Sequence, residues 1–256
     1  MMSPPVSRRS VHLGSLLTLI AATLVASSCA DGDAVSNTSG SATLVSGSTT
    51  TLGETTTTAR GATVTFRADV WADNWFSLYV NGELVGEDSV PITTERSFNA
   101  ESITFEAKYP LTVAMVTKDF RETDSGLEYI GTDRQQMGDG GFIAQFTDLS
   151  TGAIVATTTS DWRLLVIQRA PLNVECVDSS DPETECEFEA IDEPAGWIDS
   201  SFDDTGWAAP TVYTEDAVGA KDGYATVSWD PAAQLLWSSD LQVDNVILWR
   251  VTVSKN

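Results

Sequence analysis

The sequence predicts an all-β protein: a two-sheet β-sandwich or jelly roll behind a signal peptide and a flexible Ser/Thr-rich linker. Three observations carry this reading. From Val64 on, apolar and polar residues alternate with period two, Val64, Phe66 and Ala68 against Thr63, Thr65 and Arg67, which is the pattern of a half-buried strand. Asn81-Gly82 sits between the apolar runs Trp75–Val80 and Glu83–Val85. Such a pair marks a hairpin, because a type I′ turn needs positive φ at both central residues. No segment beyond residue 60 sustains a helical period.

Residues 1–28 read as a signal peptide. Arg8 and Arg9 form a positive start, and the run from Leu13 to Val25 is mostly apolar and uncharged. That run is too short for an ordinary membrane span. Ala26-Ser27-Ser28 then lead into Cys29. This ending resembles the lipobox of bacterial lipoproteins, with Ala26 where that motif usually has Leu, and it implies lipidation of Cys29. The alternative is ordinary cleavage after Ala30, which discards Cys29.

Residues 29–60 read as a linker. Between Ser36 and Thr58, 14 of 23 residues are Ser or Thr and none is aromatic. Such a segment buries too little apolar surface to offset its ordering entropy. Residues 61–256 make the body. Further strands are expected at Ser102–Lys108, Leu111–Thr117, Gly141–Phe146, Ile154–Thr157, Trp162–Gln168, Ala225–Val227, Gln234–Trp237 and Val246–Val253. Turn residues punctuate them, as at Tyr109-Pro110 and Gly138-Asp139-Gly140-Gly141. Many short strands so spaced indicate a sandwich or jelly roll.

Composition excludes several functions. There are 14 Lys and Arg against 37 Asp and Glu, a formal charge of −23, so bare nucleic acid is not an expected partner. The single histidine, His12, lies in the leader. The exported chain then has no imidazole for a catalytic triad or a zinc site. With Cys29 lipidated or discarded, Cys176 and Cys186 remain as an even pair around a polar, turn-forming segment, and a disulfide is expected. Two metal-binding thiolates are the alternative, but no further Cys or His is at hand.

Three stretches resemble galactose-binding-like jelly-roll modules, the β-sandwich units appended to many bacterial glycosidases and surface proteins. Ala72 to Gly86, with Asp73 and Leu78-Tyr79-Val80-Asn81-Gly82, is similar to their D-x-x-x-L-Y-V-N-G hairpin. Trp197 followed by Phe202-Asp203-Asp204-Thr205-Gly206-Trp207 is similar to their W-x4-F-D-D-x-x-W segment. Gln234–Trp237 and Asp244–Arg250 look like their closing strands. The resemblance implies the fold, but not one ligand, since such modules include sugar binders and purely structural units. The Cys176–Cys186 excursion departs from the pattern.

Two groups are candidate ligand sites. Trp71, Asp73 and Trp75, with Asn74, precede the Asn-Gly hairpin. An indole face stacks on the C–H face of a sugar while carboxylate and amide bond its hydroxyls; the alternative is that the Trp are core and Asp73 satisfies turn amides. Arg121, Asp133, Arg134 and Gln136 occupy loops around Tyr129-Ile130, with Asp119, Asp124, Gln135 and Asp139 nearby. Guanidinium, carboxylate and amide together offer paired hydrogen bonds to vicinal hydroxyls; the alternative is salt-bridged surface loops. Asp203-Asp204 is not read as a catalytic pair, because neighbours on a strand point to opposite faces.

No cofactor is expected. A structural Ca2+ suits the oxygen-rich composition, but no D-x-D-x-D-G loop assigns its ligands. The expectation is therefore an exported, lipid-anchored, non-catalytic module of the bacterial cell envelope that binds carbohydrate or a glycan-bearing partner. It meets membrane only through the lipid. A structural or adhesive envelope protein without a small ligand is the alternative, and a carboxylate-pair glycosidase a more distant one.

Overall fold

The computed structural model describes residues 61–92 and 97–255. The leader 1–28, Cys29 and the linker 29–60 lie outside the described residues. In chain order the elements begin with Val64–Asp73 (β1), Trp75–Val80 (β2), Glu83–Glu87 (β3), Ala100–Ala107 (β4) and Leu111–Lys118 (β5). Leu127–Glu128 (β6) and Gln136–Met137 (β7) form a small hairpin. Gly141–Asp148 (β8), Ala153–Thr157 (β9) and Arg163–Arg169 (β10) follow. The last part holds Pro182–Glu185 (α1), Glu189–Ala190 (β11), Thr211–Tyr213 (β12), Glu215–Val218 (α2), Leu235–Trp237 (β13) and Asp244–Val253 (β14).

The strands form two antiparallel six-stranded sheets packed as a sandwich. One runs β12-β13-β8-β1-β4, with β9 also paired to β8; the other runs β11-β10-β14-β5-β2-β3. The alternation seen in the sequence supplies the core. Phe66, Ala68 and Val70 of β1 and Phe142, Ala144 and Phe146 of β8 face Phe76 and Leu78 of β2, Met115 of β5, and Ile247 and Trp249 of β14. Fully burying one such side chain contributes about 1.5–3 kcal/mol. The buried indoles are not left wet inside: Trp249 donates to Thr117 Oγ1 at 2.8 Å, Trp237 to the Asp244 carbonyl at 2.9 Å and Trp162 to the Thr157 carbonyl at 3.0 Å.

The Asn-Gly hairpin forms as expected, with φ of 54° at Asn81 and 85° at Gly82. Its amide has a second use. Asn81 Oδ1 accepts from the Thr112 amide at 2.8 Å, and Nδ2 donates to the Lys108 carbonyl at 3.0 Å. The turn between β2 and β3 is thereby pinned to the start of β5. Ala225–Val227 is not a strand: Asp222–Thr226 is a 3-10 turn. Its Tyr224 carbonyl accepts the Trp229 indole N–H at 3.0 Å, and Thr226 Oγ1 donates to the Gly223 carbonyl at 2.7 Å. These local bonds compete successfully with sheet pairing. β12 instead completes that sheet edge, against β13.

The F-D-D segment is a strap over the outer face of the second sheet. Trp197, Ile198, Phe202 and Trp207 pack over Ala114, Val116 and Leu248. Arg250 fastens it from below. Only 2% exposed, it donates Nε to Asp204 Oδ2 at 2.8 Å, Nη2 to the Asp199 carbonyl at 3.1 Å, and Nη1 to the Trp197 carbonyl. Asp203 serves the turn itself, accepting from the Thr205 amide at 3.1 Å and its hydroxyl at 2.7 Å. The two adjacent carboxylates thus have separate structural partners. Arg250→Ala leaves Asp204 and two carbonyls without their donor, so it should cost about 3 kcal/mol or more in urea unfolding. A loss under about 0.5 kcal/mol, the range of an ordinary surface change, would show that the clamp is not needed.

Candidate functional site

A groove of about 780 Å³ opens on the outer face of the second sheet. Its floor follows from register. Trp75, Lys118, Val246 and Gln168 stand directly across from one another on β2, β5, β14 and β10, with Ala190 of β11 next in the row. Cross-strand partners share a face. β10 carries an irregularity between Val166 and Gln168, and the extra residue of a bulge re-aims side chains. Ile167 and Gln168 consequently both line the groove. One wall is the loop Asp119–Ser125; the other comes from the Cys176–Cys186 excursion and the chain after it, through Glu183, Phe188, Ile191 and Glu193.

Gln168 is 4% exposed, and neither of its amide atoms has a hydrogen-bond partner among the described residues. Native buried amides are normally paired. An amide so placed offers one acceptor and two donors. Phe188 is 49% exposed at the rim. Arg121 is tied to Asp124 at 2.5 Å and to the Thr123 carbonyl at 3.0 Å. Lys118 lies over the Trp75 ring, 4.6 Å from its centroid. Burial holds the Lys118 ammonium below its ordinary value, and Glu193 works against that.

The second wall is held by the disulfide. Cys176 and Cys186 are bonded, as the cysteine arithmetic anticipated. The bridge packs on Leu127, with Ile130, Met137 and Val177 around it. Gln135 Nε2 ties the β6–β7 hairpin to the Val177 carbonyl at 2.6 Å and the Ser179 carbonyl at 2.8 Å. Asn173 Nδ2 donates to the Glu185 carbonyl at 2.9 Å.

Beneath the first wall lies a cluster of carboxyl groups. Asp119 is 2% exposed, and neither carboxyl oxygen has a hydrogen-bond partner among the described residues. Gly138 lies against it so closely that a Cβ there would fall 2.2 Å from Asp119 Oδ2. Burial, and then the neighbouring charges of Asp73, Glu128 and Asp139, push the Asp119 carboxyl well above the usual aspartate range. Among the described residues, no three His, Cys, Asp or Glu side chains are arranged to hold a metal ion, so a structural Ca2+ gains no ligand set.

The structure redistributes the expected site residues. Arg121 lines the groove. Gln136 instead lines a separate cavity of about 490 Å³ beside Gly138 and Asp139, with Nε2 bonded to Glu128 Oε2 at 3.0 Å. Asp133 is exposed, and the Arg134 guanidinium stacks 4.0 Å from the Tyr129 ring centroid. The four do not share one pocket, because the β6–β7 hairpin turns Asp133 and Arg134 away while its second strand carries Gln136 to the other cavity. Trp71 is fully buried. Its N–H goes to the Phe98 carbonyl at 2.9 Å and Tyr224 sits edge-on to its ring, so no sugar reaches it. Asp73 is buried next to Asp119. Trp75 is half-buried under Lys118, at the end of the same cross-strand row but not among the residues that line the groove. The alternation could not find Gln168 and Phe188. Gln168 reaches the groove through a bulge, and Phe188 through the disulfide-bounded excursion.

No protein-family model, curated protein or solved structure matches the chain. Among the described residues, no helix is long and apolar enough to cross a membrane.

Two measurements test this arrangement. The bridge joins residues 10 apart, so replacing both cysteines with Ser should cost about 2–3 kcal/mol in the chain-entropy description. A denaturant midpoint unmoved by the double change would refute that contribution. Asp119 concerns pH. Its carboxyl keeps its proton in the fold over a range where the unfolded chain has lost it. Stability is complete below the ordinary aspartate value of 3.8 and is lost as pH rises towards the folded value. The Tm of Asp119→Asn relative to the parent should therefore rise between pH 4 and pH 8. A parallel pH dependence in the two proteins would contradict the burial of a neutral carboxyl.

Proposed function

We propose that this chain is an exported, non-catalytic sandwich that binds carbohydrate in the groove between the Asp119–Ser125 loop and the disulfide-bounded excursion. We propose further that its fold is the galactose-binding-like jelly roll that the hairpin and F-D-D motifs resemble. In this reading a lipid on Cys29 holds it at the bacterial cell envelope, and the Ser/Thr-rich linker spaces it from the surface. The observation that carries the reading is Gln168, a buried amide with unmet hydrogen-bonding capacity in the floor of an open groove. Such an amide offers an acceptor and two donors, which paired hydroxyl groups can meet. Phe188 adds an exposed aromatic face beside it.

A structural envelope protein without a ligand is the second reading. What favours it is that no Trp among the described residues is exposed: five are buried, and Trp75, Trp207 and Trp229 are half-buried. Binding of the full chain to an immobilised oligosaccharide panel separates the two. Phe188→Ala and Gln168→Ala should each weaken a retained glycan by about 1 kcal/mol, roughly fivefold in Kd. Phe188→Ala should leave the Tm in place, since a half-exposed side chain contributes little to folding. If no oligosaccharide is retained, the structural reading replaces this one.

A further inference from the structure

We propose that the glycan taken by this groove is cationic: an oligomer of amino sugars whose amines are free rather than acetylated. The inference rests on the carbohydrate-binding reading and names the ligand class of the same groove. Its starting point is the wall carrying Phe188. Between Glu175 and Glu193 the chain has nine acids and no Lys, Arg or His. All nine are exposed. None makes a salt bridge among the described residues. Glu183 and Glu193 line the groove together with Phe188.

The opposite wall does not cancel this field. Arg121 is committed to Asp124 and a backbone carbonyl, and Lys118 is half-buried against Trp75. Glu122 adds acid on that side as well. Charges on the walls act on a ligand within a Debye length, about 8 Å at physiological ionic strength. An anionic ligand such as a uronate chain is repelled by the acids of the excursion wall. A neutral one can hydrogen-bond to the acids but gains no charge attraction from them.

A free amino sugar uses all the parts. Its ring presents a C–H face to Phe188, its hydroxyls meet the unpartnered amide of Gln168, and its ammonium meets the carboxylates of the excursion. Gln168 is the independent sign that the acids border a site and not merely a solvated surface. It is buried, lacks a partner, and the strand register puts it on the groove floor beside Val246.

The test uses the full chain and three hexamers: β-1,4-glucosamine, β-1,4-N-acetylglucosamine and galacturonate, titrated calorimetrically at slightly acid pH. The glucosamine hexamer should bind about tenfold tighter than its acetylated counterpart at low salt, with the gap closing as salt rises. The galacturonate hexamer should not bind. Glu183→Gln, at an exposed acid that lines the groove, should lower the ratio between the first two. The side chain is exposed, so the variant's Tm checks that folding is intact. Equal binding of the two glucosamine-based hexamers overturns the amino-sugar assignment and leaves the carbohydrate reading standing, as does preference for galacturonate. Binding of a lysine-rich peptide with no hexamer bound overturns both.

Discussion

A guanidinium on the outer face of the second sheet holds the groove-bearing side of the molecule together. Arg250 stands in β14, a strand paired on both sides, and spends its donors on Asp204 and on two carbonyls of the Trp197–Trp207 strap. A buried cation survives only when its donors are met. The strap has to lie where it does, and it covers Ala114, Val116 and Leu248. Because Trp197 in turn donates to Glu193 Oε2 at 2.8 Å, the chain entering the strap is fixed at the groove edge.

From that fixed point the groove is built by restraint from both sides. The disulfide and the Gln135 amide bind the excursion to the β6–β7 hairpin. The first wall is joined to the same hairpin, since the Glu122 amide donates to the Leu127 carbonyl at 3.0 Å and Glu122 Oε1 accepts from the Ile130 amide at 3.0 Å. Loops fastened in this way present side chains without further ordering cost on binding, which favours affinity.

The acids divide into two populations with different physics. Those of the excursion are solvated and set a long-range field. Asp119 is withdrawn from water, and burial together with the charges of its neighbouring acids favours its protonated form. Asp88, lifted to about 6 chiefly by burial, belongs with the second kind. Negative charge at the groove therefore lies along its rim rather than beneath it.

The sequence by itself determined the class of fold, the main strands, the Asn81-Gly82 turn and the pairing of the two body cysteines. Each depends on local information: period-two alternation, φ preference, or an even count of thiols. It also showed that Asp203 and Asp204 were poor catalytic partners. It did not determine which polar residues meet. Arg121, Asp133, Arg134 and Gln136 are close along the chain, yet the β6–β7 hairpin sends Gln136 to another cavity. Trp71 looked like a sugar platform but is covered by Tyr224, more than 150 residues away in the chain. Only the tertiary structure decided that Gln168, Phe188 and Lys118 share a groove. Their meeting depends on strand register, one bulge and a disulfide-bounded excursion, none of which leaves a periodic trace in the sequence.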